Sequence, residues 1–183
     1  MIAPLLLAAA LHAPPMELPA PLPDVQVVDQ DGRSHRFYSD LIAGKLVVIN
    51  AVYTSCTNVC PMMQRSFADL QDVLGDRLGK DVFLISISRD PDRDTPTRMK
   101  EYARRFHAKP GWMFVTGQHD AIDRLLRALT GDRASPGGHS TVAWIGNGAN
   151  GTWLRTYGAD EPSRTIELLN ELTGPASTRA ARQ

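Results

Sequence analysis

The sequence predicts one α/β domain in three layers, with a central mixed sheet and helices covering both of its faces. Three observations support this prediction. Apolar, β-branched runs alternate with segments whose apolar residues recur at helical spacing, which is the order that packs helices on a sheet. Turn signals near both ends of this series predict a hairpin at each end. The 183 residues are 43% hydrophobic, enough for one domain with a sizeable core.

The strands are predicted from turn signals and apolar runs. Asp31 and Gly32 form a turn signal between two short alternating runs, which predicts an N-terminal hairpin. KLVVINAV, residues 45–52, predicts a strand buried on both faces, and VFLISIS, residues 82–88, predicts a second. A third strand is predicted over WMFV, residues 112–115.

Helices fill the intervals between these strands. Their predicted apolar faces are formed by Met63, Phe67, Leu70 and Leu74, by Met99, Tyr102, Ala103 and Phe106, and by Ile122, Leu125, Leu126 and Leu129. The first helix is predicted to follow Pro61 and to end at Gly75. A closing hairpin over residues 141–157 and a helix over residues 162–172 complete the series. A thioredoxin-like topology satisfies this order of elements.

The ends of the chain differ in composition from its middle. Residues 1–13 are apolar and end in small residues, which is typical of a secretory leader. This stretch is too short to span a bilayer, because a spanning helix needs about 20 residues. Residues 14–23 are proline-rich and predict an extended linker. We therefore expect an exported protein with a thioredoxin-like domain over residues 24–173 and a flexible tail over residues 174–183.

The charge balance argues against a strongly charged partner. Twenty Lys and Arg residues are matched by twenty Asp and Glu residues, so the formal net charge at pH 7 is +0. No global field therefore favours nucleic acid or an anionic membrane, and binding has to come from a local site. Nucleic acid is not an expected partner.

The two cysteines, Cys56 and Cys60, form the local site that the sequence predicts. They lie in YTSCTNVCP, directly after a buried strand, where open α/β sheets place their sites. A disulfide between them would close a very short loop and constrain the unfolded chain little, which argues against a structural staple. Two alternatives remain. One is a redox dithiol with pKa values lowered at a helix N-terminus, and the other is a soft metal site that needs a third donor.

Candidates for the third donor are found among the five histidines and the methionines. His139 lies in SPGGHST, after two glycines and directly before a predicted strand, where loops present side chains. From the residues alone, it could be a metal ligand or a loop histidine in water. His119 and Met62 are the alternative donors, whereas Met63 fits the apolar face of its helix and is predicted to lie in the core.

A charged run with Asp90, Asp92 and Asp94 precedes the predicted second helix. Asp and Thr residues just before Pro96 are what a helix N-terminus favours, so capping is the ordinary interpretation of this run. A role in contacting a metal or a partner is the alternative.

YTSCTNVCP, SISRDPDRDTP, GWMFVTG and GGHST, in this order, resemble the Sco/SenC family of copper-handling, thioredoxin-like proteins that help to assemble cytochrome c oxidase. The resemblance extends from residue 24 to residue 172. It implies that Cys56, Cys60 and His139 bind one copper ion, as Cu(I) or Cu(II). The chemistry agrees, because thiolates suit Cu(I) and an added imidazole suits Cu(II). Gly138 departs from the family pattern, in which the residue before the histidine is often acidic.

The resemblance implies a copper carrier, exported to the bacterial periplasm or the outer face of the cytoplasmic membrane. It would deliver copper to an oxidase subunit or exchange it with another copper chaperone. We expect a monomer without a transmembrane helix. The alternative function is a thiol-disulfide oxidoreductase that acts on cysteines of the same target, with Cys56 and Cys60 as nucleophile and resolving thiol. A peroxidase is disfavoured, because no peroxide-activating Thr/Arg arrangement can be assigned around Cys56.

Overall fold

The computed structural model describes residues 18, 21–57, 59–131, 141–157 and 161–173. The predicted leader, residues 1–13, and the predicted tail, residues 174–183, lie outside the described residues, as does His139.

Within the described residues, a seven-stranded mixed sheet forms the middle layer. Its strands are β1 (Gln26–Asp29), β2 (Ser34–Arg36), β3 (Leu46–Val52), β4 (Val82–Ser88), β5 (Trp112–Thr116), β6 (Val142–Asn147) and β7 (Thr152–Tyr157). Their order across the sheet is β2-β1-β5-β4-β3-β6-β7. The central strands β5, β4 and β3 are parallel, and the strands on either side of them pair in the antiparallel direction. The predicted mixed sheet with an N-terminal hairpin is therefore confirmed.

Helices cover both faces of this sheet. They are α1 (Val59–Leu74), α2 (Pro96–Arg105), α3 (His119–Thr130) and α4 (Pro162–Thr173). Helices α1, α2 and α4 share a hydrophobic core with one face, whereas α3 packs against the other face together with a π-helical segment, Phe37–Ile42. This arrangement confirms the three-layer prediction. In the described part of the chain, no helix combines the length and apolar composition that crossing a membrane requires.

Strand β3 explains why a nearly unbroken apolar run correctly predicted a buried strand. Successive side chains of a strand point to opposite faces, and both faces of β3 are covered by helices. Val48 and Val52 contribute to the core under α1, and Val47 and Ile49 contribute to the core under α3. Full burial of such a side chain stabilises the fold by about 1.5–3 kcal/mol. The strand therefore fixes the point from which the loop that carries Cys56 begins.

Two local features differ from the sequence-based expectation. Helix α1 begins at Val59, before Pro61 rather than after it, so Cys60 lies within the first helical turn. Proline is tolerated there because the first amides of a helix have no partner inside the helix. The π-helical segment was not predicted, because its six residues, with Phe37, Leu41 and Ile42 buried, are too few to establish a helical period.

Candidate dithiol site

Cys56 and Cys60 lie at the edge of the sheet where the parallel strands end. Cys56 belongs to the loop that follows β3, and Cys60 lies on the first turn of α1. Because β4 runs parallel to β3, with Val52 paired with Ser88, the loop after β4 lies beside the cysteine loop. The prediction that the cysteines follow a strand at a sheet edge is confirmed.

Both cysteines are thiols, and the backbone brings them together. The N–H of Cys60, one of the first amides of α1, donates a hydrogen bond to Cys56 Sγ over 3.4 Å. The N–H of Cys56 donates to the carbonyl of Tyr53 over 3.2 Å and closes a turn. Cys56 is half-buried, whereas Cys60 is 6% exposed. One sulfur is therefore accessible from solvent, and the other is shielded by the core.

The surroundings of Cys60 disfavour its thiolate. Burial raises the pKa of the Cys60 thiol to about 11, a hydrogen bond with the Tyr53 backbone opposes this shift, and the neighbouring Cys56 adds to it. The Arg89 guanidinium lowers the pKa, but as a smaller effect. The expectation that a helix N-terminus lowers the thiol pKa is therefore wrong for Cys60, because desolvation outweighs the helix dipole.

A cationic side chain and a phenol adjoin the dithiol. The Arg89 guanidinium lies 5.6 Å from the centre of the Tyr53 ring, and the Arg89 amide donates to the carbonyl of Val52 over 2.8 Å. Tyr102 on α2 is buried, and its hydroxyl has no hydrogen-bond partner among the described residues. Burial raises the pKa of Tyr102, and negative charge on Cys60 and Cys56 raises it further. Tyr102 is therefore a neutral phenol at neutral pH.

A layer of buried polar side chains lies under the first turns of α1, and sequence reasoning missed it. This polar layer comprises Asn50, Gln64, Ser86, Ser88 and Asp94, none more than 1% exposed. Gln64 Nε2 donates to Ser86 Oγ over 3.4 Å, and β3–β4 pairing places Asn50 beside Ser86. The signal was present in the sequence, since Asn50 interrupts the apolar run of β3 and two serines interrupt that of β4.

Asp94 does not cap α2, contrary to the prediction. Its carboxylate accepts hydrogen bonds from Thr54 Oγ1 over 2.5 Å and from Ser88 Oγ over 2.7 Å. The cap is Thr95, whose hydroxyl accepts from the Arg98 amide over 3.4 Å. The capping prediction is confirmed for Thr95 and wrong for Asp94, because the loop after β4 folds Asp94 inward against the cysteine loop.

The other two acidic residues of this run stay nearer the surface. The backbone N–H of Asp90 donates to Ser88 Oγ over 3.0 Å and tightens the turn after β4. The Asp92 carboxylate lies 3.0 Å from Nδ1 of His119, and both side chains are more than half exposed. Contact between Asp92 and a partner therefore stays a prediction. His119 pairs with the Asp92 carboxylate.

The two methionines that follow the cysteines point in different directions. Met63 is 2% exposed and lies in the core, as predicted. Met62 is 59% exposed. It follows Cys60 by two positions on α1, which corresponds to about 200° around the helix axis. Helix geometry thus turns Met62 away from the buried face that carries Cys60, and its role as a thioether ligand stays a prediction.

The predicted third ligand, His139, lies outside the described residues. Among the residues that are described, no three His, Cys, Asp or Glu side chains are arranged to hold a metal ion. Of the three predicted copper ligands, the structure therefore describes Cys56 and Cys60.

Solved structures share this fold. Arabidopsis thaliana ScoI, solved with copper bound, has a TM-score of 0.66 at 22% identity, with 88% of this chain and 98% of that chain covered. BsSco has a TM-score of 0.72 at 22% identity, with 88% and 96% covered. BsSco is described as having a disulfide switch and as a member of the Sco family of cytochrome c oxidase assembly proteins. These likenesses confirm the thioredoxin-like fold.

Sequence comparison extends the relationship beyond the fold. A SCO2-like protein of Rickettsia conorii is 30% identical over 157 residues, which are 80% of this chain and 74% of the relative. The family model described as SCO1/SenC matches residues 22–142, a range that contains both cysteines, Asp94 and His139. The match covers well over half of the chain, and this chain belongs to the SCO1/SenC family.

Proposed function

We propose that this protein binds one copper ion at Cys56, Cys60 and His139 and delivers it to the copper site of a cytochrome c oxidase. The observation that carries the proposal is the pair of thiols at the sheet edge, joined by the hydrogen bond from the Cys60 amide to Cys56 Sγ. Support also comes from the copper bound to the Arabidopsis ScoI structure and from the assembly role named for BsSco.

The donor set fits copper as a cargo. Two thiolate sulfurs are soft ligands that favour Cu(I), and the imidazole of His139 would add the nitrogen that Cu(II) prefers. Transfer to another protein requires that an incoming ligand can reach the ion. Cys56 is the more accessible of the two sulfurs, so the acceptor is expected to approach from its side.

Export is part of the same proposal. The apolar stretch over residues 1–13 is typical of a secretory leader. A protein in the periplasm, or at the outer face of the cytoplasmic membrane, would meet the copper-receiving subunit of the oxidase or another copper chaperone there. We propose that it acts as a monomer.

Anaerobic copper titration of the reduced protein, with X-ray absorption at the copper edge, tests the ligand set. We expect one equivalent of copper with two sulfur neighbours and at least one nitrogen. Replacing both cysteines by serine should abolish tight binding, and His139→Ala should weaken Cu(II) more than Cu(I). His119→Ala is the matched control, since His119 is an exposed histidine paired with Asp92. Stoichiometric copper without sulfur neighbours would overturn the proposal.

A thiol-disulfide oxidoreductase is the second candidate, favoured by the unequal accessibility of the two thiols and by the disulfide switch named for BsSco. The Cys56 thiolate would attack a target disulfide, form a mixed disulfide and release one target thiolate. Cys60 would then attack the Cys56 sulfur and release the second target thiolate. The target gains two electrons, and this protein is left with a disulfide. His139→Ala separates the candidates, because it should impair copper binding and leave disulfide exchange intact.

A further inference from the structure

We propose that Asp94 is a positioning residue for the dithiol, because its buried carboxylate ties the loop that carries Cys56 to the loop that follows β4. The proposal rests on the dithiol being the site of the proposed function. It concerns how the reduced thiols are held, and it does not depend on whether copper is the cargo.

The two oxygens of the Asp94 carboxylate are divided between two segments of the chain. Oδ1 accepts from the hydroxyl of Thr54 over 2.5 Å, and Oδ2 accepts from the hydroxyl of Ser88 over 2.7 Å. Ser88 is the last residue of β4, and Thr54 lies in the loop between β3 and Cys56. The carboxylate therefore bridges the cysteine loop and the end of the neighbouring strand.

Asp94 is the fixed end of this bridge. Its backbone N–H donates to the carbonyl of Asp90 over 2.8 Å, and the next residue, Thr95, is the N-cap of α2. Thr54 lies beyond the end of β3 and is half-buried, so it gains more order from the contact than Asp94 does. The hydrogen bond from Thr54 to Asp94 thus restricts the loop in which Cys56 lies.

Burial of this carboxylate needs an explanation, because Asp94 is 1% exposed. A carboxylate removed from water is costly unless hydrogen bonds compensate for its lost hydration. Capping does not supply the explanation, since Thr95 caps the helix. The hydrogen bonds that compensate for the burial come from Thr54, in the loop that carries Cys56, and from Ser88, at the end of β4. We infer that the burial serves to fix their relative positions.

If Asp94 positions the Cys56 loop, it should raise the effective concentration of one thiol at the other. This quantity is measured as the equilibrium constant for forming the Cys56–Cys60 disulfide with glutathione. When Cys56 and Cys60 form a disulfide, they lose two electrons and two protons to one glutathione disulfide, which becomes two glutathione molecules. The equilibrium constant rises as the reduced sulfurs are held closer to bonding geometry. Loosening the Cys56 loop should lower that constant, because the reduced state gains conformations in which the sulfurs are apart.

The test is a glutathione redox titration of the full chain without copper. Thr54→Val removes the hydroxyl and keeps the side-chain shape, and Thr54→Ser keeps the hydroxyl. Asp94→Asn removes the charge from the bridge, and Asp92→Asn is the matched control on the same loop, because Asp92 is exposed. Thermal unfolding of each variant, in reduced form, is measured alongside. If Asp94→Asn does not fold, the Thr54 pair of variants decides.

We expect Thr54→Val to lower the effective concentration about tenfold, which corresponds to a rise of about 30 mV in the midpoint potential. Asp94→Asn should also raise the midpoint potential, whereas Thr54→Ser and Asp92→Asn should leave it unchanged. A wild-type constant in Thr54→Val, with or without a lower melting temperature, would overturn the proposal. Because no copper is used, a failure of the copper proposal would leave this result unaffected.

Discussion

The backbone N–H of Cys60 donates a hydrogen bond to Cys56 Sγ over 3.4 Å, and this contact joins two thiols with very different surroundings. Cys56 lies in a loop and is half-buried, whereas Cys60 is 6% exposed and faces the core under α1. The pair is therefore asymmetric in access, and a reagent from solvent would reach Cys56 first.

Alkylation should reveal this asymmetry. At pH 8 a thiol with a pKa of about 11 is about 0.1% ionised, and the thiolate is the reactive form. We expect iodoacetamide to modify Cys56 well before Cys60 in the reduced, metal-free protein, as followed by peptide mass spectrometry. In urea the two rates should become similar. Faster modification of Cys60 in the folded protein would contradict the geometry.

The raised pKa of Cys60 also predicts a loss of stability in alkali. The unfolded thiol loses its proton near 9.0, whereas the folded thiol keeps it until about 11, so the unfolded state binds fewer protons in between. Stability should therefore fall as pH rises through this window. Urea unfolding of the reduced protein at several pH values measures it.

The control for this experiment is Cys60→Ala, since lysines also begin to lose protons in the same range. In this variant, the pH dependence of the free energy of unfolding should keep the part due to lysines and lose the part due to Cys60. Equal pH slopes for the variant and the wild type would contradict the prediction.

Low pH should destabilise the protein by protonating Asp29 in the N-terminal hairpin. Asp29 is 4% exposed, and its carboxylate contacts His35 Nε2 and accepts from the Asp31 and Arg33 amides, each at 2.9 Å. Burial raises the pKa of Asp29, but these hydrogen bonds outweigh it, and the net pKa is lowered from 3.8. Its stabilising contribution is present above the unfolded pKa and is lost as pH falls through the folded pKa.

Asp29→Ala should therefore cost about 1–3 kcal/mol at pH 7, because it removes the acceptor of three part-buried hydrogen bonds, and the cost should shrink at pH values below the folded pKa. Urea unfolding across that pH range checks this. Asp31→Ala is the control, since Asp31 is 38% exposed and its pairs with Lys100 and Arg33 lie at the surface. A cost for Asp29→Ala that stayed constant with pH would show that the loss comes from packing.

Copper should raise the melting temperature of the reduced protein if Cys56, Cys60 and His139 clamp separate segments. At a hundredfold excess over Kd, a ligand that binds only the folded state stabilises it by about 2.7 kcal/mol, and copper bound by cysteines of the unfolded chain would reduce this gain. For a domain of this size the expected rise is about 5–10 °C. The rise should be smaller in His139→Ala and absent when both cysteines are serine. An undiminished rise in the double-serine variant would locate the metal elsewhere.

The sequence by itself determined the strands and α-helices of this fold and the position of its cysteines. The apolar run of β3 predicted a strand buried on both faces, and Met63 and Phe67 predicted the buried face of α1. These predictions succeeded because strand and helix periodicities are local properties of the chain. The position of the two cysteines followed from the same pattern, because parallel strands that end at one edge bring their following loops together.

Tertiary structure alone decided the surroundings of the site. Asp94 and Thr95 are both favoured N-cap residues by type, yet Thr95 caps α2 and Asp94 turns inward to Thr54. The pKa of Cys60 was likewise decided by desolvation in the core, which outweighs the helix dipole that its position indicates. Both outcomes depend on which strands pair and in which register. Contacts between residues so far apart in the chain are set by packing of the whole sheet, and no local pattern encodes them.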